Sequence, residues 1–159
     1  MTYLLSTDGR DEDIVGAFRR YHDYLVSVSD RFPPGAYALA TSHWYFDPQD
    51  RRCPHDGWLE SLTLVGPSSD ERQETRHMTL TVRVLGAHHD GYIDLRYPRV
   101  FAYTLSVNNG ENGHRDWRYD ELRLSQRGHL IHEIEWGGRH DTGKWTIEAS
   151  DLEFRWVPE

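Results

Sequence analysis

At 159 residues the chain has the length of one domain, long enough to bury a core without disulfide or metal staples. A net charge of −8 lacks the basic stripe that meets phosphates, which sets nucleic-acid binding aside. The single cysteine, Cys53, excludes an intramolecular disulfide and a cysteine zinc cluster.

The chain opens on "MTYLLSTDGRDED", which has neither the basic start nor the apolar core of a signal peptide. No later window approaches the length of a membrane span. These features place the protein in the cytoplasm, away from membranes. The first element is an amphipathic helix, with Ile14, Phe18, Tyr21, Leu25 and Val28 spaced four and three apart as one stripe. Asp11, Glu12 and Asp13 stand at its start, where a carboxylate can cap. Pro33 and Pro34 stop it, and "GAYALATS" adds one more helical turn.

From His43 the hydrophobic period changes to two. The strand-like runs are "HWYFD", "WLESLTLVG", "RHMTLTVRVLG", "YIDLRY", "RVFAYTLSV", "WRYDELRLS", "HLIHEIEW", "KWTIEA" and "LEFRWV". Met78, Leu80, Val82 and Val84 share one face; so do Ile93, Leu95 and Tyr97; so do Phe101, Tyr103, Leu105 and Val107. The spacers, of which 66–74 and 108–116 are the longest, are too short for helical crossovers. The expected architecture is therefore α+β in a single domain, 1–159. A helical segment, 1–42, packs on an antiparallel meander, 43–159, of about nine strands, folded as a sheet or a partly closed barrel.

Candidate chemistry centres on two stretches with one skeleton, "HDGW" from His55 and "HDGY" from His89. Adjacent His-Asp pairs also occur at His22-Asp23 and His140-Asp141. A metal-dependent phosphohydrolase uses such a pair too, but on helices, whereas three of these four pairs precede strands. The simplest reading is two turn-to-strand starts, with Asp accepting backbone amides and Gly taking a positive φ. The alternative is a metal or general-base site in which His55, His89 and Asp90 converge. Cys53, beside Arg51 and Arg52, is a candidate nucleophile only if those charges lower its pKa. In "HLIHEIEW", alternation groups His132 with Leu130, Ile134 and Trp136, the side that would be buried. Asp120 and Glu121 fall on opposite faces of their strand, so they are not a carboxylate pair.

Aromatic residues make up 13% of the chain, more than a core of this size needs, and Trp and Tyr are favoured interface anchors. The candidate binding residues are His55, Asp56, Trp58, His89, Asp90, Tyr92, Trp117, Tyr119 and Glu121. No nucleophile elbow, phosphate loop or dinucleotide fingerprint occurs, and no cofactor is implied.

From Trp44 to Trp156 the pattern HDGW, HHDGYIDLRY, DWRYDELRLS and HEIEW resembles one carried by an uncharacterised family of small bacterial α+β proteins. The general build also resembles immunity proteins that neutralise bacterial toxins, an analogy at the level of fold. It implies a non-enzymatic module with a protein partner, most concretely a basic toxin domain steered onto an acidic surface. Two other readings stand beside it: a small metal-binding protein or enzyme using the turn histidines, and a small-molecule binder with an aromatic-lined pocket.

Overall fold

A computed structural model describes residues 1–5, 7–69, 71–107, 110–111, 113–137 and 142–159, with the side chains of Thr7, Asp8 and Ser69 excepted. The His140-Asp141 pair lies outside the described residues. Three helices precede the sheet: α1 (Thr7–Glu12), α2 (Ile14–Ser27) and α3 (Pro34–Ala40). Asp11 and Glu12 close α1 rather than open α2. Asp13 is the cap of α2, its Oδ1 accepting the Gly16 amide at 2.8 Å. Of the expected stripe, Tyr21, Leu25 and Val28 are buried, while Ile14 stays 40% exposed. None of these helices is long and apolar enough to cross a membrane.

The strands are β1 (Trp58–Val65), β2 (Ser68–Ser69), β3 (Thr75–Arg76), β4 (Met78–Leu85), β5 (Gly91–Leu105), β6 (Trp117–Leu124), β7 (Leu130–Gly137), β8 (Thr142–Ala149) and β9 (Glu153–Pro158). Seven form one antiparallel sheet in the order β1-β4-β5-β8-β7-β6, with β9 also on β5; β2 and β3 pair separately. Two of the nine expected strands account for the difference. "HWYFD" is a run of turns, with Tyr45 bonded to Ser42, Asp47 to Trp44 and Asp50 to Asp47 through the backbone. Its aromatics reach the core from those turns, Tyr45 being fully buried. "YIDLRY" and "RVFAYTLSV" merge into the single strand β5.

Pro98 does not break β5, because it sits where the partners change. Before it, Gly91–Arg96 pair with β9; after it, Val100–Leu105 pair with β8. The missing amide therefore falls between two ladders. The pairing with β4 also slips there, from Leu80↔Tyr97 to Met78↔Val100. Tyr97 and Val100 are consequently both buried, and the alternation shifts. The stripe of Phe101, Tyr103, Leu105 and Val107 is not a core face: Tyr103 is 44% and Val107 54% exposed.

β8 and β9 run end to end beside β5, interrupted at Ser150–Leu152. The interruption has a use. Asp151 accepts the amides of Gly35 (3.0 Å) and Ala36 (2.8 Å), capping α3 where its own N-cap, Pro33, offers no side-chain acceptor. α3 thereby packs against both β9 and β6.

The sheet is not closed, but its β6 edge is covered rather than left as a free template. Tyr21 Oη accepts the Leu122 amide and donates to the Leu122 carbonyl, both at 2.9 Å. Tyr24 Oη accepts the Leu124 amide at 2.8 Å. At the start of the strand, the Asp56 backbone amide donates to the Trp117 carbonyl (2.8 Å) and the Trp117 backbone amide to the Gly57 carbonyl (3.0 Å). On the inner face Leu80, Val82, Val84, Ile93, Leu95, Ile134 and Ile147 form one core with Ala17, Leu25, Ala36 and Leu39 of the helices.

Candidate functional site

The two His-Asp-Gly stretches are different turns. In the first the positive φ is at Asp56 (62°); in the second it is at His89 (56°). Neither glycine takes the role expected of it. Gly57 and Gly91 are required by close approach instead. A Cβ on Gly57 would stand 2.6 Å from Val84 Cγ1, and one on Gly91 would stand 2.4 Å from Trp156 Cζ2.

The turns are nonetheless neighbours. The Trp58 ring meets His89 edge-on at 4.7 Å, His88 reaches the Pro48 carbonyl, and Arg51 pairs with Asp90 at 3.2 Å. Their histidines do not share a site. His55 Nδ1 lies 2.5 Å from the Arg118 carbonyl and its ring packs edge-on against Tyr119, while Asp56 takes Arg118 Nη1. His55, His89 and Asp90 are not gathered, and among the described residues no three His, Cys, Asp or Glu side chains are arranged to hold a metal ion. Tyr92 lies under Arg83, whose guanidinium joins Arg155 on Asp94, tying β4, β5 and β9 together.

Glu121 is fully buried and serves the N-terminus. Its Oε2 accepts the amides of Tyr3 (2.5 Å), Leu4 and Leu5 (3.1 Å), and Oε1 lies 3.3 Å from Arg123 Nε. Beside this strap, Arg10 stacks on the Tyr119 ring at 3.9 Å and reaches Glu135 at 3.5 Å.

Between α2, the turns at 45–55 and β6 lies a cleft of about 260 Å3. Ile14, Phe18, Phe46 and Tyr119 are among its walls, with Trp117, Tyr45, His55 and Cys53 also lining it. Asp120 supplies a buried carboxylate to the same lining. A bulge between Trp117 and Tyr119 turns both Trp117 and Asp120 inward.

Asp120 is the hub of a buried network. Tyr45 Oη donates to its Oδ2 at 2.7 Å, Trp117 Nε1 to its Oδ1 at 3.1 Å, and His132 Nε2 lies 2.9 Å from Oδ2. Tyr97 Oη lies 2.7 Å from His132 Nδ1. Both ring nitrogens of His132 are thus engaged, Nε2 by Asp120 and Nδ1 by Tyr97. Burial, reinforced by the charge of Asp120, pushes both tyrosine hydroxyls well above their ordinary pKa, so both remain donors. Asp120 meets no Arg or Lys among the described residues.

Cys53 is not an activated nucleophile. Burial pushes its thiol up to about 12, so the protonated form prevails at neutral pH. The flanking guanidinia have other partners: Arg52 clasps Asp50 and lies over Trp44, and Arg51 reaches Asp90.

Of the residues expected to bind, His55, Trp117 and Tyr119 come together at this cleft; Trp58, His89, Asp90 and Tyr92 lie on the adjoining turn and sheet. Phe46, Tyr45 and Asp120 were not foreseen there. Asp120 left a usable signal, since it shares the inward parity of Leu122 and Leu124, the same reasoning that buries His132. No family model matches this sequence, and no curated protein or solved structure is detectably similar to it.

Proposed function

We propose that the chain is a non-enzymatic protein-binding module of the immunity type, which neutralises a basic toxin domain by taking one of its side chains into the cleft beside α2. The observation that carries this reading is an aromatic-walled cleft with a buried carboxylate, in which the one cysteine, Cys53, is not activated. Concave, largely apolar sites with a few placed polar groups are where anchor side chains dock. The net charge of −8 supplies the long-range attraction for a basic partner.

The test is rescue from a toxin domain whose gene adjoins that of the chain. Cells expressing that toxin are expected to grow only with the chain co-expressed. Ile14→Trp, which fills the cleft from its rim, abolishes rescue. Val65→Trp, at the far end of β1, preserves it. Equal killing with and without the chain removes the immunity reading. Rescue undiminished by Ile14→Trp moves recognition away from the cleft.

A further inference from the structure

We infer that the side chain taken into the cleft is an arginine of the partner. The inference rests on the cleft being the binding site and adds the chemistry of its occupant.

The first reason is charge. Asp120 places a carboxylate in a buried lining, and its three bonded neighbours are Tyr45, Trp117 and His132, none of them an Arg or Lys. An ionised carboxylate offers about four acceptor positions, so one remains beyond these three. Removing a charge from water without a counter-charge is costly, and an entering cation answers that cost. Two cations stand nearby, each already paired: Arg118, which also lines the cleft, with Asp56, and Arg10 with Asp11 and Glu135.

The second reason is the aromatic lining: Phe18, Phe46 and Tyr119 stand in the walls, and a planar guanidinium stacks on aromatic rings better than a compact, strongly hydrated ammonium does. The molecule already uses this contact twice, with Arg10 over Tyr119 at 3.9 Å and Arg52 over Trp44 at 4.5 Å. The third reason is volume. At roughly 30 Å3 per water-sized group, the cleft holds about nine heavy atoms, enough for an arginine side chain.

The experiment compares two capped tripeptides, acetyl-Gly-Arg-Gly-amide and its citrulline counterpart, in which a neutral urea replaces the guanidinium. Binding is followed by calorimetry at low salt. The arginine peptide is expected to bind about tenfold or more tightly than the citrulline peptide, the difference between a charge-assisted and a neutral hydrogen bond at a buried acceptor. Ile14→Trp abolishes both, and Asp120→Asn erases the preference. If Asp120→Asn does not fold, discrimination by the wild-type chain decides. Equal binding of the two peptides, lost for both in Ile14→Trp, overturns the arginine assignment and leaves the cleft standing. Binding of neither peptide at millimolar concentration also overturns it, while the rescue assay judges the cleft separately.

Discussion

Replacing Glu121 by Gln tests how the N-terminal strap is held. One carboxylate oxygen receives three backbone amides, from Tyr3, Leu4 and Leu5, and the side chain is fully buried. A glutamine oxygen keeps the shape, but without the charge that gathers three amides on one oxygen its two lone pairs hold only two of them. Losing one charge-assisted bond costs about 1.5–3 kcal/mol, and weakening the other two adds about 1 kcal/mol. Arg123 also loses a partner, though Glu133 still holds it. Together these give about 2–4 kcal/mol, directed at the attachment of residues 1–12 to β6. Hydrogen exchange read by mass spectrometry should show residues 1–12 opening roughly 30-fold to several-hundred-fold more often, with β7 and β8 unchanged. The urea midpoint should fall less than the full amount, because the strap leaves before the sheet unfolds. Unaltered exchange in residues 1–12 would refute the reasoning and show that the amides are satisfied without the carboxylate.

Three further outcomes follow from the same structure. Gly91→Ala should cost about 1–3 kcal/mol in urea unfolding, because the added methyl overlaps the Trp156 ring and the Val157 carbonyl, the latter 2.8 Å away. Tyr97→Phe should cost about 1–3 kcal/mol by leaving His132 Nδ1 without a donor, and should cost less on a His132→Leu background. Arg83 and Arg155 hold the Asp94 carboxyl below its ordinary pKa. A depressed folded pKa contributes stability that is present above the unfolded value, about 3.9, and is lost as pH falls through the folded value. Asp94→Asn should therefore flatten the stability–pH curve below about pH 4, and an unchanged slope would contradict the pairing.

The long helix α2 and most strands were legible in the residues because each buries one face: Tyr21 and Leu25 on α2 with Val28 at its C-cap, and Leu80, Val82 and Val84 on β4, whereas α1 was not foreseen. "HWYFD" misleads because aromatic density looks like a strand, whereas Tyr45 reaches the core from a turn. β5 escapes because a proline reads as a break, and only the exchange of β9 for β8 makes it harmless. The His-Asp-Gly stretches look alike, yet their positive φ angles fall at different positions, and their glycines are required by Val84 and Trp156 from strands remote in sequence. The cleft joins a helix, a turn and an edge strand, and no local pattern records that meeting. Alternation does bury His132, which stands behind the cleft in the Asp120 network, and the same parity applies to Asp120.

The most direct measurement follows the six tryptophan indole N–H signals by NMR while the arginine tripeptide is added. Trp117 donates its indole proton to Asp120 and lines the cleft, whereas Trp58 sits half-exposed against His89. Occupation of the cleft predicts that the Trp117 signal moves in step with binding while Trp58 stays in place. Movement of Trp58 with a stationary Trp117 would put recognition on the His89 turn and contradict the account.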